Sequence, residues 1–352
     1  MMLRNQKNIY LLFFVLLFAA TSVFAQKSTD DNIVCFVYHR FGDDRYPSTN
    51  ISINDFEGHL QYLKDNGYNV VTLGQALNLL NSQSGVPGKT AVLTIDDGYK
   101  SFLDNAMPLL RKFNYKATLF LNTKQVGNKD FVSWHEVKGL MDEGIEIGDH
   151  SHSHAYFVNN KKDEIVPKFK NDLKQSQEIF IKELGFAPDL FSYPYGEYTN
   201  SMKEVLKELG FRAAIAQNSG VISGFNDRYA LPRFPMTGIF SKIEKFIEKA
   251  NMKALPVAIA PVVDPVLLGN NPPILQLQVK EPDLINTNYL QCFVGGATGC
   301  TIDYDSTKRI ITIKSNHTLT ARRTLYTITA PSATNPNSWY WFSYVWIIPT
   351  KY

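Results

Sequence analysis

Three histidines stand at every second position of GDHSHSHAYF, residues 148–157: His150, His152 and His154. The chain has seven histidines in 352 residues, so three within five residues ask for a chemical reason. Imidazole is the commonest protein ligand for a metal. If the segment turns helically, residues four apart share a face, and His150 and His154 can grip one ion while His152 points elsewhere. If it runs extended, all three align. A second cluster, LTIDDGY at 93–99, sets Asp96 beside Asp97, with Gly98 free to turn the backbone. Neighbours along a strand point to opposite sides, so the two carboxylates need not share one role. One can bind a cation while the other stays free as a base. Asp-Asp-Gly is also an ordinary turn sequence. Two imidazoles and one carboxylate would leave coordination positions open for water, as a catalytic zinc site does.

Such groups need strand ends to hold them, and the chain supplies these in order. Short apolar runs recur between residues 33 and 250: IVCFVYH, NVVTL, AVLTID, ATLFLN, IEIGDH, LFSYPY and AAIA. Helical stretches alternate with them. INDFEGHLQYLKDNG starts near an N-cap candidate at Asn54 and stops at Gly67, and TNSMKEVLKELG repeats that grammar. Seven βα units with near-continuous apolar strands predict an α/β fold, a deformed (β/α)7-type barrel. In such barrels chemistry gathers at the C-terminal ends of the strands. The pattern changes near residue 253. ALPVAIAPVVDPVLLGNNPP carries five prolines in twenty residues and breaks any regular helix. Beyond it, ILQLQV, RIITIK, TLYTITA and WYWFSYVWII predict a small all-β sandwich. In the last of these runs one face must be core. The other can stack on sugar rings or seal against the barrel, and packing is the reading adopted for it and for Trp134.

These motifs together resemble the NodB-homology polysaccharide deacetylases, carbohydrate esterase family 4. TIDDG at 94–98 is similar to that family's T-F-D-D-G motif. HSHSH at 150–154 matches its H-[ST]-x-x-H, and SYPYG at 192–196 ends in its P-Y-G. The resemblance covers roughly residues 33–250 and implies a NodB-like barrel. It implies Asp97, His150 and His154 as ligands of a divalent metal, most naturally Zn2+, with Asp96 as general base and the Tyr195 backbone N–H as oxyanion donor. His152 falls at the motif's variable position. Many members place an Arg before the P-Y motif to orient the base; here Ser192 stands in that neighbourhood. That spelling is closer to the branch acting on poly-β-1,6-N-acetylglucosamine, whose first strand ends in Tyr-His, matched by Tyr38-His39. The chain has no later Leu-x-His to supply the usual acid, so His39 is the candidate for it. Arg233, in ALPRFPM, can replace the missing Arg by pairing with Asp96. The implied reaction is hydrolysis of N-acetyl groups from an N-acetylhexosamine polysaccharide, releasing acetate. A glycan-binding protein that has lost turnover, or a metal-dependent esterase acting on other acylated glycans, are the competing readings.

The chain divides, on this reading, into a signal peptide (1–25), a NodB-like domain (26–252), a Pro-rich linker (253–272) and an all-β accessory domain (273–352). The first segment has a short basic head at Arg4 and Lys7, an uncharged apolar run and small residues before Gln26. It predicts export to the periplasm, the cell envelope or the medium, with no stable membrane span after cleavage. Export permits a disulfide, and Cys292 and Cys300 flank a Gly-rich turn that can bring them together. Cys35, in an apolar run, is expected to be a buried small hydrophobe. A net charge of +3 without Lys/Arg runs argues against a nucleic-acid partner, and the oligomeric state is left open.

Overall fold

A computed structural model describes residues 31–296 and 299–350; the expected signal peptide lies outside the described residues. Each of the seven apolar runs forms a strand: β1 (Ile33–Tyr38), β2 (Asn69–Val71), β3 (Thr90–Ile95), β4 (Thr118–Leu121), β5 (Glu146–Asp149), β6 (Leu190–Ser192) and β7 (Ala213–Ile215). Every residue of β1 and β3 is buried, which is why these runs are apolar without alternation. Parallel pairing runs β1–β3–β4–β5–β6–β7, and β2 adds to the first half of β3. Two shorter strands, β8 (Val221–Ile222) and β9 (Phe234–Pro235), both pair with β1. Leu231 bridges to Ile215 of β7, three residues before β9 reaches β1. One short segment therefore links the last parallel strand to the first, and the sheet curls as a NodB-like barrel.

Helices cover the outside. The helix Ile53–Asp65 begins two residues earlier than its sequence suggests. Ser52, not Asn54, is the N-cap, and its hydroxyl accepts the Asp55 N–H. Asn54 already lies in the first turn, where its side chain cannot reach the orphan donors. Gly67 follows with φ +68° and ends the helix as expected. The helix Asn200–Glu208 has Thr199 as its cap, accepting from the Met202 N–H.

His59, on the first helix, is fully buried and stacks on Phe246 with ring centroids 3.9 Å apart. Its Nε2 lies 2.8 Å from the Ser241 carbonyl, which can only accept, so Nε2 carries the proton. Nδ1 is then the acceptor for the Tyr38 hydroxyl at 3.1 Å. Burial pushes the imidazole pKa from 6.5 down to about 4, against opposing pulls from the Ser241 carbonyl and Asp55. The unfolded chain takes up this proton near 6.5, the folded chain only near 4. The His59 contribution is therefore complete above pH 6.5 and fades as pH falls towards 4, a loss of about 3 kcal/mol. Urea unfolding at pH 7 and pH 4.5 should show a smaller stability loss in His59→Gln than in the wild type. Equal losses would contradict this account.

The C-terminal region folds as two four-stranded sheets around a shared core. One sheet orders Met252–Ala254, Trp339–Ile347, Arg323–Pro331 and Gln291–Val294. The other orders Val257–Ile259, Ile274–Val279, Ile310–Ser315 and Cys300–Asp305. Within the Pro-rich stretch, Val257–Ile259 is itself a strand. Residues of WYWFSYVWII alternate with period two. Tyr340, Tyr344 and Trp346 fill the sandwich core. Trp341 packs against the barrel core, and Val345 and Ile347 join a second barrel cluster with Tyr193 and Tyr198. The second face thus seals against the barrel, as the packing reading expects. Trp134 also packs, edge-on against Phe180. Cys292 and Cys300 are disulfide-bonded, and Cys35 is a buried free thiol.

Candidate active site

Each sequence-predicted residue except Arg233 lies at or just beyond the C-terminal end of a parallel strand. His39 follows β1, and Asp96 follows β3, its N–H donating to the Tyr38 carbonyl at 3.0 Å. Asp97 then turns with φ +74° and Gly98 with φ +78°, where a Cβ on Gly98 would stand 2.6 Å from Leu121. His150 follows β5. The 150–154 segment is neither helical nor extended, so neither sequence-based geometry holds. Ser151 (φ +70°) and His154 (φ +54°) adopt left-handed conformations that fold the loop back on itself. Tyr195, beyond β6, is left-handed too, at φ +59°. Such residues cost on the order of 1–3 kcal/mol each and persist where their surroundings dictate them.

The curl brings three ligand atoms into a triangle. Asp97 Oδ1 lies 3.4 Å from His150 Nε2 and 3.2 Å from His154 Nε2, and the two Nε2 atoms are 3.2 Å apart. Ligand atoms on a tetrahedral ion with bonds of about 2.0–2.1 Å stand about 3.3–3.4 Å apart, so the donor set fits a single small divalent cation. The His150 tautomer fits as well. Its Nδ1 sits 2.7 Å from the Ser192 carbonyl, an obligate acceptor, which places the proton on Nδ1 and the Nε2 lone pair in the triangle. Burial alone would raise the Asp97 carboxyl, but hydrogen bonds from His150 and His154 hold it well below the usual range.

Asp96 stands beside the triangle, 4.0 Å from His150 Nε2 and 4.0 Å from His39 Nε2. Arg233 grips it from below: Nη1 to Oδ1 at 2.8 Å and Nη2 to Oδ2 at 2.6 Å. The remaining guanidinium donors reach Thr94 Oγ1, Ser192 Oγ and the Ala216 carbonyl. All five N–H groups are therefore matched, and both charges are fully buried. Burial pushes the Asp96 carboxyl up, and the Arg233 and His150 charges more than reverse it, leaving it below its ordinary value. Ser192, where the resemblance expects an Arg, accepts from Arg233, so a small residue there makes room for the arginine to arrive from the other side. Burial pushes the His39 imidazole down, with the Asp97 and Asp96 charges opposing. His39 Nδ1 is buried without a partner. His152 turns away from the triangle, with Nδ1 3.0 Å from Thr123 Oγ1.

Sequence reasoning missed the residues that hold the histidine loop. Asp149 accepts from the Ser151 N–H, Ser176 Oγ and Gln177 Nε2 at 2.7–2.8 Å. Burial pushes its carboxyl up to about 6, with those hydrogen bonds opposing. Asp172 accepts the N–H groups of His152 and Ser153. Asp149 could have been suspected, since a carboxylate that ends a buried strand needs donors. Asp172 lies mid-helix, with no local signal.

A curled parallel barrel with this cluster at its mouth has the layout that the resemblance to the polysaccharide deacetylases leads one to expect. Residues 83–214 match the family described as polysaccharide deacetylase. The YxkH protein of Bacillus subtilis is 25% identical over 214 residues, covering 60% of this chain and 74% of its own. Poly-beta-1,6-N-acetyl-D-glucosamine N-deacetylase of Staphylococcus aureus is 24% identical over 208 residues, 56% of this chain and 71% of its own. Among solved structures, IcaB from Ammonifex degensii superposes with a TM-score of 0.55 at 26% identity, covering 62% of this chain and 97% of its own. Streptococcus pyogenes deacetylase PplD superposes with a TM-score of 0.57 over 63% of this chain and 99% of its own; at 21% identity it speaks to fold alone. The match to the polysaccharide deacetylase family thus covers the part of the chain that carries Asp96, Asp97, His150, His154 and Tyr195.

Proposed function

We propose that the protein removes N-acetyl groups from an N-acetylhexosamine polysaccharide outside the cytoplasm, with poly-β-1,6-N-acetylglucosamine as the first substrate to test. The named activity of the Staphylococcus aureus relatives supports that choice. The observation that carries the reading is the triangle of Asp97, His150 and His154 with Asp96 free beside it. Two imidazoles and a carboxylate suit zinc. A cation bound there would polarise the amide carbonyl and acidify water.

The chain's own residues divide the remaining work. Asp96, kept ionised and oriented by Arg233, accepts the proton of the attacking water. The Tyr195 N–H donates to the carbonyl oxygen as it becomes negative, where a preorganised donor helps most. Neighbouring amides are already engaged: Tyr193 N–H with Ile215 O, Gly196 N–H with Tyr193 O, and Glu197 N–H with Pro194 O. His39, whose Nε2 lies 4.0 Å from Asp96 Oδ2, delivers a proton to the departing nitrogen. The C–N bond breaks, leaving acetate and an amine. His39→Ala should lower kcat by about 10²- to 10³-fold, and an unchanged rate would remove His39 as the acid.

The division into a 26–252 catalytic domain and a 273–352 accessory domain joined by residues 253–272 is part of this proposal, as is export by the segment 1–25. No helix among the described residues is long and apolar enough to cross a membrane. The deciding experiment measures acetate release from β-1,6 and β-1,4 N-acetylglucosamine oligomers, peptidoglycan and acetylated xylan, with and without a chelator. Chelator-sensitive release from an N-acetylglucosamine substrate is expected. Release from acetylated xylan alone would assign an esterase, and metal binding without any release would assign a glycan-binding scaffold.

A further inference from the structure

The strained Tyr195 turn is held by a part of the chain well outside the matched family region. Arg322 and Arg323 stand at the start of the strand Arg323–Pro331 of the β sandwich. Arg323 Nη1 donates to the Tyr195 carbonyl. Arg322 grips the buried Glu197 carboxylate with both edges, Nε to Oε1 at 2.8 Å and Nη2 to Oε2 at 2.6 Å. Its Nη1 also reaches Asn159 Oδ1 at 2.9 Å, beyond the histidine loop. The Arg322 guanidinium then lies over the Tyr156 ring, 4.2 Å from its centroid. Tyr156 stacks on Tyr195 with centroids 3.6 Å apart and planes 6° apart. Tyr195 meets His154 edge-on at 4.5 Å. An unbroken series of contacts thus runs from the sandwich to a residue of the metal triangle. The same sheet is anchored by Val345 and Ile347 in the barrel's second core cluster, so its arginines start from a fixed base.

We propose that the β sandwich completes the active site, with Arg322 and Arg323 as positioning residues that hold the Tyr195 turn and the Tyr156–Tyr195–His154 ring stack in register. The chemistry favours this division. A left-handed tyrosine relaxes unless its carbonyl and ring are both held. A bidentate guanidinium fixes direction as well as charge, which a lysine cannot do. If the turn relaxes, the Tyr195 N–H moves away from the carbonyl oxygen it serves, and the transition state loses more than the bound substrate does. The inference rests on the proposed role of that N–H, yet the clamp itself can be read without any substrate.

Arg323→Ala is the informative variant, because Arg323 is partly exposed and its loss leaves no buried charge unpaired. Amide hydrogen exchange should be read on the peptide spanning residues 190–200, alongside kcat and KM for acetate release. Exchange at Gly196 and Glu197 is expected to quicken about tenfold, with the melting temperature unchanged. For acetate release, kcat should fall about tenfold at constant KM, the signature of a contact that matters only in the transition state. Arg323→Lys, which keeps one donor for the carbonyl, should recover most of both. Unchanged exchange in Arg323→Ala would overturn the clamp, and faster exchange with an unchanged kcat would overturn its link to catalysis. A wild type that releases no acetate, while exchange responds as expected, would sink the proposed reaction and leave the clamp standing.

Discussion

Asp96→Asn should leave the metal triangle able to bind its cation and stop acetate release, lowering kcat by between about 10² and 10⁴. The asparagine fills the same space but cannot accept a proton from water. None of the three triangle atoms belongs to Asp96, so cation binding should persist. The substitution also presents an amide N–H₂ to Arg233, a donor facing a donor, and leaves a buried guanidinium unpaired. A lower melting temperature is therefore expected, and rates should be compared well below it. Loss of bound metal with Asp96→Asn would mean that the two aspartates have been given each other's roles. Full activity would remove Asp96 as the base.

Arg233→Met is expected to cost more stability than any surface change in the molecule. It removes five hydrogen bonds inside the barrel and leaves the fully buried Asp96 carboxylate without its cationic partner. Breaking one half of a buried pair costs about 3–5 kcal/mol. Denaturant unfolding at neutral pH measures that loss. Activity should fall together with stability, because the freed carboxylate loses its orientation towards the triangle. Arg233→Lys should not rescue either property, since a point charge cannot supply two parallel hydrogen bonds to the carboxylate while also reaching Thr94, Ser192 and Ala216. A Lys variant with wild-type stability and rate would show that charge alone suffices there.

The barrel was legible because a parallel strand buried on both faces must be apolar throughout, and the seven runs announced themselves in order. The site was legible for a related reason. Strand ends are where a barrel can expose polar groups, and the motif residues sat there. Conformation inside the loops was not legible. Nothing in the side chains of Ser151, His154 or Tyr195 marks a left-handed backbone, since their neighbours impose it. The pairing of Arg233 with Asp96 spans 137 positions and could be posed from sequence only as a possibility, because register across a barrel is set by closure through Leu231 and Phe234. Arg322 and Arg323 were invisible altogether. Their partners, Glu197 and Tyr195, lie more than 120 residues away, and in a sequence two basic residues next to a strand start look like an ordinary solvated end. The helix start at Ser52 rather than Asn54 turned on which of two capable caps lay outside the first turn.

The central claim is that Asp97, His150 and His154 form one cation site while Asp96 stays outside it. Calorimetric titration of the metal-free protein with Zn2+ tests this most directly. The wild type and Asp96→Asn should each bind one tight equivalent per chain, and Asp97→Ala and His154→Ala should bind none at the same concentrations. A wild type without a tight site, or Asp97→Ala and His154→Ala variants that bind as the wild type does, would contradict it.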